Sequence, residues 1–336
     1  MRANSVMAIP SPDNSNLPDH VVAFEVSKHQ LVVHTLPANR QRVIDNKPAA
    51  VRRVLKDELK HNSKAQLGRM LVVCEATGGY EDPVLDVAVE LDLEAHRAHG
   101  TRVRHFAKFK GLKAKSDPLD APLIARYGLQ TEDLVRYCPP SEEVKALRAL
   151  QERRDDLKQI LQAETNRLEH VDHRLVLKTI KASIKCLSRQ LKAVEAEIKR
   201  LIKSTPDLAH TDKLLRTVPG IGEVTAAALI AHMPELGTLP RNTAAALAGL
   251  APYDNDSGKK KGRRHIQGGR SAVRRNLFMA AVTAMTHCPH LADYADRIIS
   301  KGKPWKIAVT AVMRKLIVIC NAVLASQQPC RYAKSA

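Results

Sequence analysis

The chain has 336 residues, enough for two or three domains with separate cores. Its 54 Lys and Arg against 35 Asp and Glu leave a net charge of +19, which favours a polyanionic partner because each neutralised phosphate releases a counterion. Aromatic residues make up only 3%, too few for the stacking platforms of single-strand binders, so contact with nucleic acid should run through the phosphates of duplex or structured substrates.

Residues 1–19 are polar and rich in Pro, Asn and Ser. They lack the apolar stretch of a secretory signal and read as a disordered leader. No apolar run reaches membrane-spanning length by this reading. The six cysteines, at 74, 138, 186, 288, 320 and 330, form no CxxC pair and read as reduced thiols. The expected compartment is therefore the cytoplasm, at the nucleoid, with no membrane partner.

From Val21 the pattern turns strand-like. Val21 to Phe24 is an apolar run ending at Glu25, and Gln30 to Leu36 is a second run across the short gap Ser27-Lys28-His29. Pro48 opens a helix with Val51, Val54, Leu55 and Leu59 at helical spacing. Met70 to Cys74 is a third strand, apolar enough to be buried on both faces, followed by Glu75 and a break at Gly78-Gly79. A helix over Pro83 to Leu91, a strand near Leu93 to His96, a helix from Arg102 and another from Asp120 to Gly128 complete an alternating α/β domain over 20–138.

Pro139-Pro140 punctuates the chain. Ser141-Glu142-Glu143 then reads as an N-cap with acids in the first turn. A proline-free stretch follows to Thr205, with a heptad seam at Ile180, Ile184, Leu187, Leu191, Val194, Ile198 and Leu201. Segment 139–206 is thus a coiled-coil connector whose helices fold back near His170–Thr179 or pair with another subunit. A compact all-α region spans 207–326, and 327–336 reads as a frayed tail.

Four acids stand out. Glu25 and Glu75 end strands, while Asp117 and Asp120 lie three apart at a helix start, on one side of it. Acids gathered around one point repel unless cations sit among them, and oxygen donors suit Mg²⁺ or Mn²⁺, which clamp the oxygens of a phosphodiester. Singly, each also reads as an ordinary solvated acid.

Gly220-Ile221-Gly222, opening a small-residue helix, reads either as a helix-hairpin-helix phosphate turn or as a plain helix–helix turn. The glycine-bearing basic loop over 258–275 contains Lys259, Lys260, Lys261, Arg263, Arg264, Arg270, Arg274 and Arg275 and no acid. Glycines there would let the backbone track a phosphate chain. Ser257, beside Gly258, reads as a nucleophile supported by these cations or as a turn serine. His287-Cys288-Pro289-His290 lacks the second ligand pair that a zinc corner needs.

These pieces occur together in "VAFEVSKHQLVV", "CEATGGYE", "AKSDPLDAPLIARYG", "VPGIGEVTAAALIA", "LAGLAPYDNDSGKKKGRRHIQGGRSAVRRNLFMAA" and "GKPWKIAVTAVMRKL". The combination resembles transposases of the insertion-sequence-110 family and its 1111 subgroup. The resemblance implies an RNase H-type, RuvC-like domain with a DEDD tetrad, mapping to Glu25, Glu75, Asp117 and Asp120. It further implies a coiled-coil connection and a C-terminal domain whose serine maps to Ser257, with Ser271 the lesser candidate. It implies duplex DNA at element ends and target, a structured guide RNA in some members, and dimer-to-tetramer assembly. The family's first acid is an aspartate where this chain has Glu25, which leaves a catalytically impaired copy as one reading. A junction-resolving nuclease, with the same acids and no serine, is the other alternative.

Overall fold

A computed structural model describes residues 17–61, 69–111, 121–132, 134–253, 262 and 264–332. The chain divides into two compact units at Pro139 and Pro140.

The first unit contains β1 (His20–Val26), β2 (Gln30–Leu36), β3 (Arg40–Asp45), α1 (Pro48–His61), β4 (Met70–Glu75), α2 (Asp82–Glu90), β5 (Glu94–Ala98), α3 (Gly100–Phe109) and α4 (Ala121–Gln130). The five strands form one sheet in the order β3-β2-β1-β4-β5. β2 runs antiparallel to both neighbours, while β1, β4 and β5 are parallel. This mixed α/β arrangement is consistent with an RNase H-like domain. Strand β3 goes unread in the sequence because RQRVID has little apolar content, as suits an edge strand.

Side chains alternate across a strand, so each face of the sheet collects its own core. Val22, Phe24, Val72 and Cys74 join Val51, Val54 and Leu55 of α1 and Val84 and Leu85 of α2. Val21, Ala23, Leu71 and Val73 face the other way, onto Val103 of α3 and Ile124 and Ala125 of α4. Gly128 brings α4 close to the sheet: a Cβ there would stand 2.7 Å from Val73 Cγ2 and 3.1 Å from Val21 Cγ1.

The second unit starts with α5 (Glu142–Leu168) and α6 (Arg174–Ser204). Ser141 caps α5 by accepting from Val144 N, with Glu142 and Glu143 in the first turn. The two helices fold back on each other: Arg154 Nε donates to Glu195 Oε1 at 3.0 Å, and Arg153 reaches Gln190. Leu147, Ile198 and Ile202, at the base of this hairpin, belong to the core of the second unit. The hairpin leads into α7 (Pro206–Leu215), α8 (Glu223–His232), α9 (Arg241–Leu247), a two-stranded ribbon of β6 (Pro252–Tyr253) and β7 (His265–Ile266), α10 (Ser271–His287), α11 (Pro289–Ile299) and α12 (Trp305–Ser326).

Two sequence expectations change here. Helix α12, with 22 residues, is long and apolar enough to cross a membrane by length and composition, which corrects the expectation that no run is. It is the core helix of its unit: Val309, Val312, Leu316, Ile317 and Cys320 are fully or almost fully buried. Its buried Asn321 accepts from Gly237 N at 2.9 Å and donates to Leu239 O at 2.8 Å. The start of the expected frayed tail is also packed. Cys330 is buried and its N–H donates to Thr217 Oγ1 at 2.9 Å.

Candidate active site

Glu25 and Glu75 lie on adjacent parallel strands, each one residue beyond the paired positions Phe24 and Cys74. Period-two alternation points both to the α3/α4 face, because Val21, Ala23, Leu71 and Val73 point there. Burial pushes the Glu75 carboxyl above the usual glutamate value; nearby Arg104 opposes this, and the charge of Glu25 pushes the same way. Thus the two acids sense each other, in the repulsion that a bound cation relieves.

The position of Glu75 depends on a missing side chain. Gly100 opens α3, and a Cβ on it would fall 2.1 Å from Glu75 Oε1. Glycine therefore lets the carboxylate lie against the N-terminal turn of α3, where backbone N–H groups favour negative charge. His99 caps that helix by accepting from Thr101 N. Arg104, one turn on, bonds back to Gly100 O. Sequence reasoning missed Gly100 and Arg104, since their roles arise only from tertiary contact.

The loop after Glu75 is pinned by Glu81, also missed. Its carboxylate accepts from Thr77 N and Oγ1 (both 3.1 Å) and Gly79 N (2.8 Å), and Arg97 stands 3.4 Å away. Burial raises the Glu81 carboxyl, but the backbone hydrogen bonds and Arg97 outweigh it and hold it below the usual value. Gly78 and Gly79, at φ 78° and 107°, make the turn that presents these N–H groups.

Asp117 and Asp120 lie outside the described residues. Helix α4, which starts directly after them at Ala121, packs on the face that carries Glu25 and Glu75. Beyond its far end, Thr131 lines a cavity with Arg69 and Glu94, at the starts of β4 and β5. A ten-residue helix is about 15 Å long, so α4 begins toward the opposite end of the strands, near Glu25 and Glu75 at or next to the ends of β1 and β4.

In the second unit, Ser257, Lys259, Lys260, Lys261 and Arg263 lie outside the described residues. Their flanks form the β6–β7 ribbon, with Pro252 opposite Ile266 and Tyr253 opposite His265. The glycines at its root serve packing: a Cβ on Gly249 would meet Gly268 O at 2.3 Å, and one on Gly269 would meet Gly249 N at 2.1 Å. The basic loop ends earlier than its sequence boundary, because Ser271, Arg274 and Arg275 are on α10. Arg264 is exposed. Three of the expected phosphate binders are engaged within the unit. Arg270 holds His232 O (2.7 Å) and Glu235 (2.5 Å), Arg274 holds Gly268 O (2.7 Å), and Arg275 holds Asp155 (3.2 Å).

The Gly220 turn behaves similarly. A Cβ there would stand 2.2 Å from Ala280 O, so this glycine lets the turn pack on α10. Gly222 is open at the N-cap of α8, whose first turn already holds Glu223, paired with Lys199 at 2.7 Å.

Among the described residues no group of three or more His, Cys, Asp or Glu stands ready to hold a metal. Glu25 and Glu75 suit a divalent cation in donor type, since they are oxygen ligands, mutually repelling and partly desolvated.

Acids near the ends of two neighbouring inner strands, in a mixed sheet consistent with the RNase H type and on a strongly basic chain, point to the class of enzymes that cut and rejoin polynucleotides. Two family models match: one described as "Transposase", of the DEDD type named for IS110, over residues 22–174, and the "Transposase IS116/IS110/IS902 family" over residues 212–296. The chain is 30% identical over 262 residues to the "Pilin gene-inverting protein" of Moraxella bovis, covering 77% of this chain and 81% of that one. An uncharacterized 43.6 kDa protein of insertion element IS110 from Streptomyces coelicolor is 30% identical over 154 residues, 45% of this chain and 36% of that one. The chain belongs to the IS116/IS110/IS902 transposase family and is a DNA-binding recombinase.

Proposed function

We propose that this recombinase moves its own element as DNA, with Glu25, Glu75, Asp117 and Asp120 holding Mg²⁺ or Mn²⁺ and Ser257 as nucleophile. The Ser257 oxygen attacks the phosphodiester phosphorus, a phosphoserine link forms, and the bond to the 3′ oxygen breaks; that oxygen leaves with a proton. When bound, the metal neutralises charge on the phosphate and on the leaving oxygen. In this reading 20–138 is the RuvC-like domain, 139–206 a coiled-coil connector and 207–326 the serine domain. A structured RNA from the element selects the sites, and subunits pair so that the acids of one meet the serine of another. The reaction also fits DNA inversion, the action named for the Moraxella relative.

The observation that carries this reading is the placement of Glu25 and Glu75 side by side on the face where α4 begins. Full-length protein, flanking transcript, element-end DNA and Mg²⁺ should give a covalent protein–DNA adduct that disappears in Ser257→Ala and in Glu75→Gln. Cutting that persists in Ser257→Ala would instead mark a junction-resolving nuclease. Glu25 supports a second reading, an impaired copy, because glutamate is one methylene longer than the family's aspartate and Mg²⁺ tolerates little distortion. On that reading Glu25→Asp raises the cleavage rate; an equal rate rejects it.

A further inference from the structure

We propose that an open groove between edge strand β3 and helix α1 holds the phosphate backbone of duplex DNA outside the segment being cut. The groove has a volume of about 710 Å³ and includes Arg42, Arg52, Arg53, Lys56 and Lys60 in its lining. It lies on the other side of the sheet from the acid pair: α1 packs on the face of Phe24 and Cys74, whereas Glu25 and Glu75 point to α3 and α4.

Two kinds of cation line it. Arg42 is committed, holding the groove's own acid, Asp57, at 3.1 Å and also the buried Glu58; Arg52 pairs with Glu90. Arg53, Lys56 and Lys60 are exposed and make no ion pair among the described residues. Their spacing of three and four sets them on one helix face. Like charges stacked this way repel and cost helix stability, a cost that a polyanion reverses by drawing them to successive phosphates.

The lining contains no aromatic residue, so nothing there stacks on bases; it reads charge along a backbone. Because the chain belongs to a family that recombines DNA, the phosphates are assigned to duplex DNA. Because the groove faces away from the acids, that duplex is flanking sequence.

The test is binding of full-length protein to long duplex DNA in EDTA, where no cutting occurs, so the result is independent of Ser257 and of the metal. Arg53→Gln/Lys56→Gln/Lys60→Gln alters only exposed side chains. It should weaken binding about tenfold or more and flatten the slope of log K against log salt by about 2 to 3, with the charge-keeping Arg53→Lys/Lys56→Arg/Lys60→Arg restoring both. Unchanged affinity and slope would overturn the proposal. Loss of affinity for structured RNA alone, with duplex binding intact, would overturn the assignment to DNA.

Discussion

At Gly100 the absence of one carbon decides where a carboxylate sits. Alanine there would set a Cβ 2.1 Å from Glu75 Oε1, so the acid must swing away. The clashing atom is the far end of a side chain that can move, and glycine has no advantage over alanine in helix propensity. Gly100→Ala should therefore keep most of its thermal stability while metal-dependent DNA cleavage falls by about two orders of magnitude, as misplacement of about 1 Å does elsewhere. Cleavage equal to that of the parent would show that Glu75 needs no such seat. Glu81 gives a pH signature. Its carboxyl is held below the ordinary value of 4.5, so it stabilises the fold above that pH, and the stabilisation fades as pH falls through the lowered value. The parent should exceed Glu81→Gln in urea midpoint at neutral pH, and the gap should close in acid; a gap constant with pH would refute the assignment.

At the scale of elements, magnitudes separate two arginines of the α5–α6 hairpin. Arg154 is 5% exposed and joins α5 to Glu195 of α6 at 3.0 Å, with Asp155 at 3.5 Å. Arg154→Ala should cost about 1.5–3 kcal/mol, the range for a lost hydrogen bond to a charged group. Arg200, on the surface beside Glu197 three residues back, should give no measurable change on the same substitution. Denaturant melts of both variants check the contrast. The elements also show which parts of the molecule were legible in sequence. Strands β1, β2 and β4 announce themselves because each buries apolar side chains. Strand β3 is hidden because Arg40 and Arg42 are spent on Glu58 and Asp57 of α1, contacts that no local pattern contains. Arg270, Arg274 and Arg275 carry contacts that sequence does not announce: whatever phosphate they meet, they also fasten α10 to its surroundings. Glu25 and Glu75 could be singled out as strand-end acids, but their neighbours Gly100, Arg104 and Glu81 could not.

Across the molecule, the two units answer to different sequences: two cores flank the sheet of the first, and one core fills the second. The second is organised around α12, and Asn321 is its buried polar tie to the segment after α8. Asn321→Ala would strand Gly237 N–H and Leu239 C=O, both at half-buried residues, at up to about 1–3 kcal/mol for each group that water cannot reach. Hydrogen exchange should show faster opening of α12 and of Gly237 to Leu239, and unchanged protection would refute the role. The β6–β7 ribbon of this unit has a further meaning. Its root is locked where Gly249, Gly268 and Gly269 touch and Arg274 grips Gly268 O. Ser257 is the fourth residue after Tyr253, and four residue steps span at most roughly 14 Å. If Ser257 is the nucleophile, chain length alone caps how far its hydroxyl can reach from that fixed peg, and DNA would have to come within this radius.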